Sequence, residues 1–133
     1  SAYKRMRNPA KIYVSDTGLC RKVTSADYGR VLENVVYLRL RKLGEEVFYF
    51  EENNECDFIV KTDEGNFSAF QAAYELNDGN KERETAGLVE ACKRMSLHQG
   101  SIITYDQEES LKTAGIKINI VPAWKWLCRK YSA

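Results

Sequence analysis

The sequence predicts an α/β protein with a mixed central sheet flanked by helices. Helical periodicity appears twice, over 29–43 and over 81–97. Three strand-like segments lie between the two helices, and two more follow the second. A hydrophobic share of 44% and a charged share of 29% in 133 residues suit one ordinary globular core.

The chain opens without an initiating methionine and is basic at Lys4, Arg5, Arg7 and Lys11. We read residues 1–10 as a linker leading from a longer chain, and 11–133 as a single domain. Lys11-Ile12-Tyr13-Val14 reads as a short strand, and Ser15-Asp16-Thr17-Gly18 as a turn. From Gly29 to Leu43, Leu32, Val36, Leu40 and Leu43 form one helical stripe, which Gly44 stops. Glu33 falls at the border of that stripe, beside Leu40 and Tyr37. A carboxylate there is either a surface charge complementing the helix dipole, the default, or a site residue.

Glu46 to Phe50 is an aromatic strand, and Glu51 to Asn54 turns into the next one, Glu55 to Val60. Alternation there sends Cys56, Phe58 and Val60 to one face, and Glu55, Asp57 and Ile59 to the other. Asp57 thus leaves a strand otherwise built for burial, and needs a cation, a donor or a metal. In the following strand, Phe67 to Tyr74, Ala69, Gln71 and Ala73 share a face. Pairing the two as a hairpin would put Asp57 and Gln71 on one surface.

Asn80 is placed to cap a helix from Lys81 to Leu97, with Leu88, Val89, Cys92 and Met95 inward. Gly87 reads as a weak point there, worth about 1 kcal/mol against alanine. Ser101 to Tyr105 is a buried-type strand, Asp106 to Ser110 a turn, and Ile116 to Val121 a strand with one wet face. Pro122 opens a closing helix, Ala123 to Arg129, with Trp124 and Leu127 inward.

Several function classes drop out. A net charge of +1 exerts no general pull on nucleic acid or anionic lipid. No apolar run approaches the roughly 18 residues of a membrane span, and no signal peptide opens the chain, so the expectation is a cytoplasmic protein. Cys20, Cys56, Cys92 and Cys128 have no C-x-x-C spacing, and His98 is the only histidine. Reduced thiols packed as small core residues are therefore expected rather than zinc. Nothing matches a phosphate loop, and His98, in a polar turn, has no nucleophile to activate.

What remains is Glu33 on a helix, Asp57 on a strand and Gln71-Ala72-Ala73 on the next. That order resembles the PD-(D/E)xK nuclease core, in which acidic side chains hold Mg²⁺ and a lysine two positions on assists the attacking water. More closely, five phrases are similar to the domain of unknown function that follows the ATPase module in prokaryotic AAA-type ATPases. They are Lys11-Ile12-Tyr13-Val14-Ser15-Asp16-Thr17-Gly18-Leu19, Gly29-Arg30-Val31-Leu32-Glu33-Asn34-Val35-Val36, Glu55-Cys56-Asp57-Phe58, Arg83-Glu84 and Val121-Pro122-Ala123-Trp124.

The resemblance implies a restriction-endonuclease-like fold and an N-terminal ATPase module as partner in the same chain. It implies catalytic positions at Glu33, Asp57 and Gln71, with Glu33 and Asp57 as the candidate metal ligands. The sequence departs from the pattern at Gln71, where an acid is wanted, and at Ala73, where lysine is wanted. An amide oxygen carries no charge to hold a cation, and alanine offers nothing. Lys61 is the one lysine on the Asp57 strand that could stand in.

Three functions compete: a degenerate accessory or recognition module needing no cofactor, an active Mg²⁺-dependent nuclease acting on nucleic acid, and a pure docking or self-association scaffold. The last would expose aromatics such as Trp126 and Tyr131.

Overall fold

Leucine and valine spacing makes amphipathic helices of α1 (Tyr28–Lys42) and α2 (Lys81–Arg94), which cover the two faces of one mixed sheet. A computed structural model describes residues 6–7, 27–43 and 46–129. The strand expected at 11–14, the turn at 15–18, Gly44, Cys20 and Tyr131 lie outside the described residues.

The strands are β1 (Met6–Arg7), β2 (Glu46–Glu51), β3 (Glu55–Lys61), β4 (Phe67–Ala72), β5 (Gln99–Thr104), β6 (Glu109–Thr113) and β7 (Ile116–Pro122), and α3 is Ala123–Leu127. They form one sheet in the order β1-β2-β3-β4-β5-β7-β6. The first four are antiparallel neighbours, β4, β5 and β7 run parallel, and β6 returns antiparallel at the edge. The short β1 falls within the stretch expected as linker, and pairs through Met6–Phe50 and Arg7–Tyr49.

Two clusters fill the layers. Leu88, Ala91 and Cys92 of α2 pack with Cys56, Ile59, Ile102 and Ile118 on one face. Leu32, Val36 and Leu40 of α1, with Trp126 of α3, pack with Phe58, Val60 and Ile103 on the other. The charges of α2 suit its dipole, with Glu82 and Glu84 in the first turn and Lys93 and Arg94 in the last.

Four expectations need correction. β6 occupies part of the stretch read as a turn; Glu-Ser-Leu-Lys-Thr is a polar edge strand, and its pattern carries no burial signal. It joins β7 through Ala114 and Gly115, both with positive φ (51° and 81°), the backbone of a primed hairpin turn. In α3 the tryptophans exchange roles: Trp126 is buried against Phe70, with ring centroids 5.9 Å apart, and Trp124 is 64% exposed. One turn of helix sets no phase by itself, so docking on Phe70 decides which ring goes in.

Asn80 stands at the N-cap of α2, but its side chain bonds the main chain of Asn77 and Glu75 instead of a helix N–H. Finally, β3 does not keep strict alternation. Between the Phe48–Ile59 and Phe50–Cys56 pairs, Tyr49 alone is matched against Asp57 and Phe58. This β-bulge puts Cys56 with Ile59 in the α2 layer, and Phe58 with Val60 in the α1 layer.

Cys56 and Cys92 are buried, and burial raises both thiol pKa values, that of Cys92 to about 11. Cys128 is exposed. A thiol reagent at mildly alkaline pH should therefore label Cys128 in the native protein, and reach Cys56 and Cys92 only after denaturant is added. Peptide mapping reads this directly; rapid native labelling of Cys56 would contradict the packing of β3.

Candidate functional site

Beyond the Phe58–Phe70 pair the ladder between β3 and β4 opens, and side chains take over its hydrogen bonds. The Gln71 amide oxygen accepts from the Asp57 N–H at 2.7 Å. Its Nε2 donates to the Glu55 carbonyl at 3.1 Å and to the Glu84 carbonyl of α2 at 3.3 Å. The Asp57 carboxylate in turn accepts from the Ala72 N–H at 3.0 Å. The two strands form a fork, and Gln71, only 3% exposed, is the bridge across it. The bulge makes this geometry possible, because it re-aims Asp57 away from strict alternation and toward the open end of the ladder.

The fork floors a cavity of about 460 Å³ that all three predicted positions, Glu33, Asp57 and Gln71, line together. Glu33 reaches it from the flank of α1. Glu33 lies beyond the first turn of α1, which contains no acidic residue, so it adds little to the helix dipole. Opposite stand Arg83 and Glu84 of α2, paired at 3.2 Å, and Asn53, Asn54 and Glu55 form the rim. Glu90 accepts both Asn53 and Asn54 N–H groups, at 2.7 and 3.2 Å, and so fixes the rim to α2.

Glu55 also accepts a hydrogen bond from the Tyr49 hydroxyl. Burial first, and that bond second, push the tyrosine well above its ordinary pKa. Tyr49 is the residue facing the bulge, so the same contact steadies the fork from the β2 side.

Lys61 does not join the site. It lies at the far end of β3, paired with Glu46 and Phe67, and its ammonium sits over the Phe67 ring at 6.0 Å from the centroid. Four residues of strand separate it from Asp57, roughly 13 Å at the usual rise. The cation that lines the cavity is Arg83, part of the Arg83-Glu84 phrase that carries the family resemblance, though nothing in the sequence pattern marks it as a site residue. Its position on the first turn of α2 becomes meaningful only once that helix is laid across the fork. Ala73 is buried in the α2-side cluster and contributes no polar group.

Gly87 explains how close that helix comes. A methyl group built there would overlap the Glu55 carbonyl oxygen, lie 2.9 Å from the carbonyl carbon, and stand 3.1 Å from Gln71 Nε2. The expected weak point of α2 is the place where helix and fork touch. Among the described residues, no three His, Cys, Asp or Glu side chains come together in a group able to hold a metal ion.

The chain is similar to an uncharacterized protein of Methanocaldococcus jannaschii, 42% identical over 113 residues. That match takes in 77% of this chain and 25% of the relative, so the chain spans about a quarter of the curated protein it matches. Residues 28–126, which hold α1, the fork and α2, match a family described as a domain of unknown function, and the chain belongs to that family, DUF4143.

Proposed function

We propose that this chain is a non-cleaving recognition or docking domain, attached to the C-terminal side of an AAA-type ATPase module in a longer cytoplasmic protein. In this reading it is built on a restriction-endonuclease-like frame. The observation that carries the proposal is the threefold use of Gln71. Where the nuclease pattern wants a carboxylate facing a cation, this side chain is turned onto the main chain of β3 and α2.

The donor set does not fit a divalent ion. Asp57 and Glu33 supply charge at the cavity, but the amide oxygen of Gln71 is directed at the Asp57 N–H, and Ala73 cannot activate a water. No catalytic step through a metal follows from these residues. The fork is better described as a lock that holds β3, β4 and α2 together after its chemistry has been replaced. The relative's greater length supports a role within a larger protein.

Plasmid and single-stranded DNA incubated with the domain and Mg²⁺ or Mn²⁺ should stay intact over hours. Cleavage that is abolished by Asp57→Ala would overturn the reading and restore the nuclease one.

A further inference from the structure

Next to the fork, three tyrosines stack on the surface. Tyr28 opens α1, Tyr74 follows β4 and Tyr105 follows β5, so the rings meet at the C-terminal edge of parallel strands. Centroids of Tyr28 and Tyr74 are 5.1 Å apart with planes at 27°, and those of Tyr74 and Tyr105 are 5.0 Å apart at 19°. The Tyr105 N–H donates to the Tyr74 carbonyl at 3.0 Å, which extends the β4–β5 ladder and holds the main chains of these two residues together. Tyr74 is the middle ring, and the outer rings are 41% (Tyr28) and 56% (Tyr105) exposed.

Such a stack offers an outward π face, which takes either a nucleobase or a planar cation. Charge separates the two. Glu75 and Asp106 directly follow Tyr74 and Tyr105, both are exposed, and both act electrostatically on the Tyr74 hydroxyl. Beside the stack lies a cavity of about 410 Å³ lined by Tyr74, Glu75, Arg30, Glu33 and Glu84. Glu84 is paired with Arg83, so three carboxylates stand against two guanidiniums. With exposed Glu75 and Asp106 next to the rings, the local excess is negative, which disfavours a phosphate backbone and attracts a cation. Trp124 stands two residues past Pro122, the partner of Thr104, and so adds a further exposed aromatic near the same edge.

We propose that the Tyr28–Tyr74–Tyr105 stack is a docking platform for an arginine-bearing segment of a partner protein, whose guanidinium lies on the Tyr105 ring and pairs with Glu75 and Asp106. Arginine suits the site better than lysine, because its plane stacks on a ring while its edge bonds carboxylates. The platform supplies the partner chemistry that a docking role requires, and stands whether or not the fork cleaves DNA.

Calorimetric titration of the intact chain with an Arg-Gly repeat peptide tests this, with the Lys-Gly peptide and oligothymidylate as comparisons. The arginine peptide should bind more tightly than the lysine one. Tyr105→Ala and Tyr105→Leu should each weaken it by about tenfold, while Tyr105→Phe retains it. Glu75→Gln with Asp106→Asn should weaken binding and flatten its salt dependence. Circular dichroism melts confirm that each variant folds. No binding of the arginine peptide, binding indifferent to Tyr105→Leu, or Tyr105-dependent binding of oligothymidylate in its place would each overturn the proposal.

Discussion

Replacing Gly87 with alanine should destabilise the protein by about 3 kcal/mol, although helix propensity alone favours alanine by about 1 kcal/mol. The added methyl collides with main chain, the Glu55 carbonyl, and no rotamer change relieves that. Either α2 lifts from β3 or β3 shifts, and both movements strain the Gln71 bonds to Glu55 and Glu84. For a domain of this size the loss corresponds to a melting temperature lower by roughly 10 °C. An equal or higher melting temperature would mean that helix and strand do not approach as described. Glycine to alanine at half-buried Gly29, where a methyl meets nothing within 4 Å, provides the control.

Restoring the missing acid through Gln71→Glu should also be costly, and in a pH-dependent way. One carboxylate oxygen would still accept from the Asp57 N–H, but the other would face the Glu55 and Glu84 carbonyls, which can only accept. An anion buried there against carbonyl dipoles is disfavoured, so the new carboxyl would keep its proton well above the ordinary value of about 4.3. The folded state then binds more protons than the unfolded one between those two pKa values. Stability relative to wild type must therefore fall as pH rises through that window, by up to about 1.4 kcal/mol per pH unit. Urea melts should show a small deficit for the variant at about pH 4, where the single carboxyl O–H replaces only one of the two amide donors, widening to about 3 kcal/mol at about pH 8. A pH-independent difference, or a variant stabilised by millimolar Mg²⁺, would show that the position is an open ligand site and not a bridge.

Sequence periodicity reveals the two long helices and the strands Glu46–Glu51, Glu55–Lys61, Phe67–Ala72, Gln99–Thr104 and Ile116–Pro122, because each buries enough apolar surface to leave a pattern. It is silent on Glu109–Thr113, whose edge position asks for nothing hydrophobic. It also misplaces Cys56, since a bulge is a relation between two strands and leaves no mark in either one.

Around the site, the positions Glu33, Asp57 and Gln71 are legible, because order along the chain and the resemblance both point to them. What Gln71 does is not legible, since its partners are main-chain groups brought near by folding. Gly87 shows the same limit from the other side. Propensity sees a flexible residue in a helix, whereas packing shows a contact that admits no side chain. The tyrosine stack is hidden for a similar reason: Tyr28, Tyr74 and Tyr105 are far apart in sequence and share only the end of the sheet at which their elements begin or finish.

The mismatch of Tyr49 against two residues resolves an otherwise awkward demand on the middle strand. A segment sandwiched by helices has no watery side on which to display an acid, so regular pleating would force it to choose between a greasy interior and a functional rim. One surplus residue lets it have both, with hydrophobic side chains feeding the two layers and a carboxylate delivered to the edge where the sheet parts.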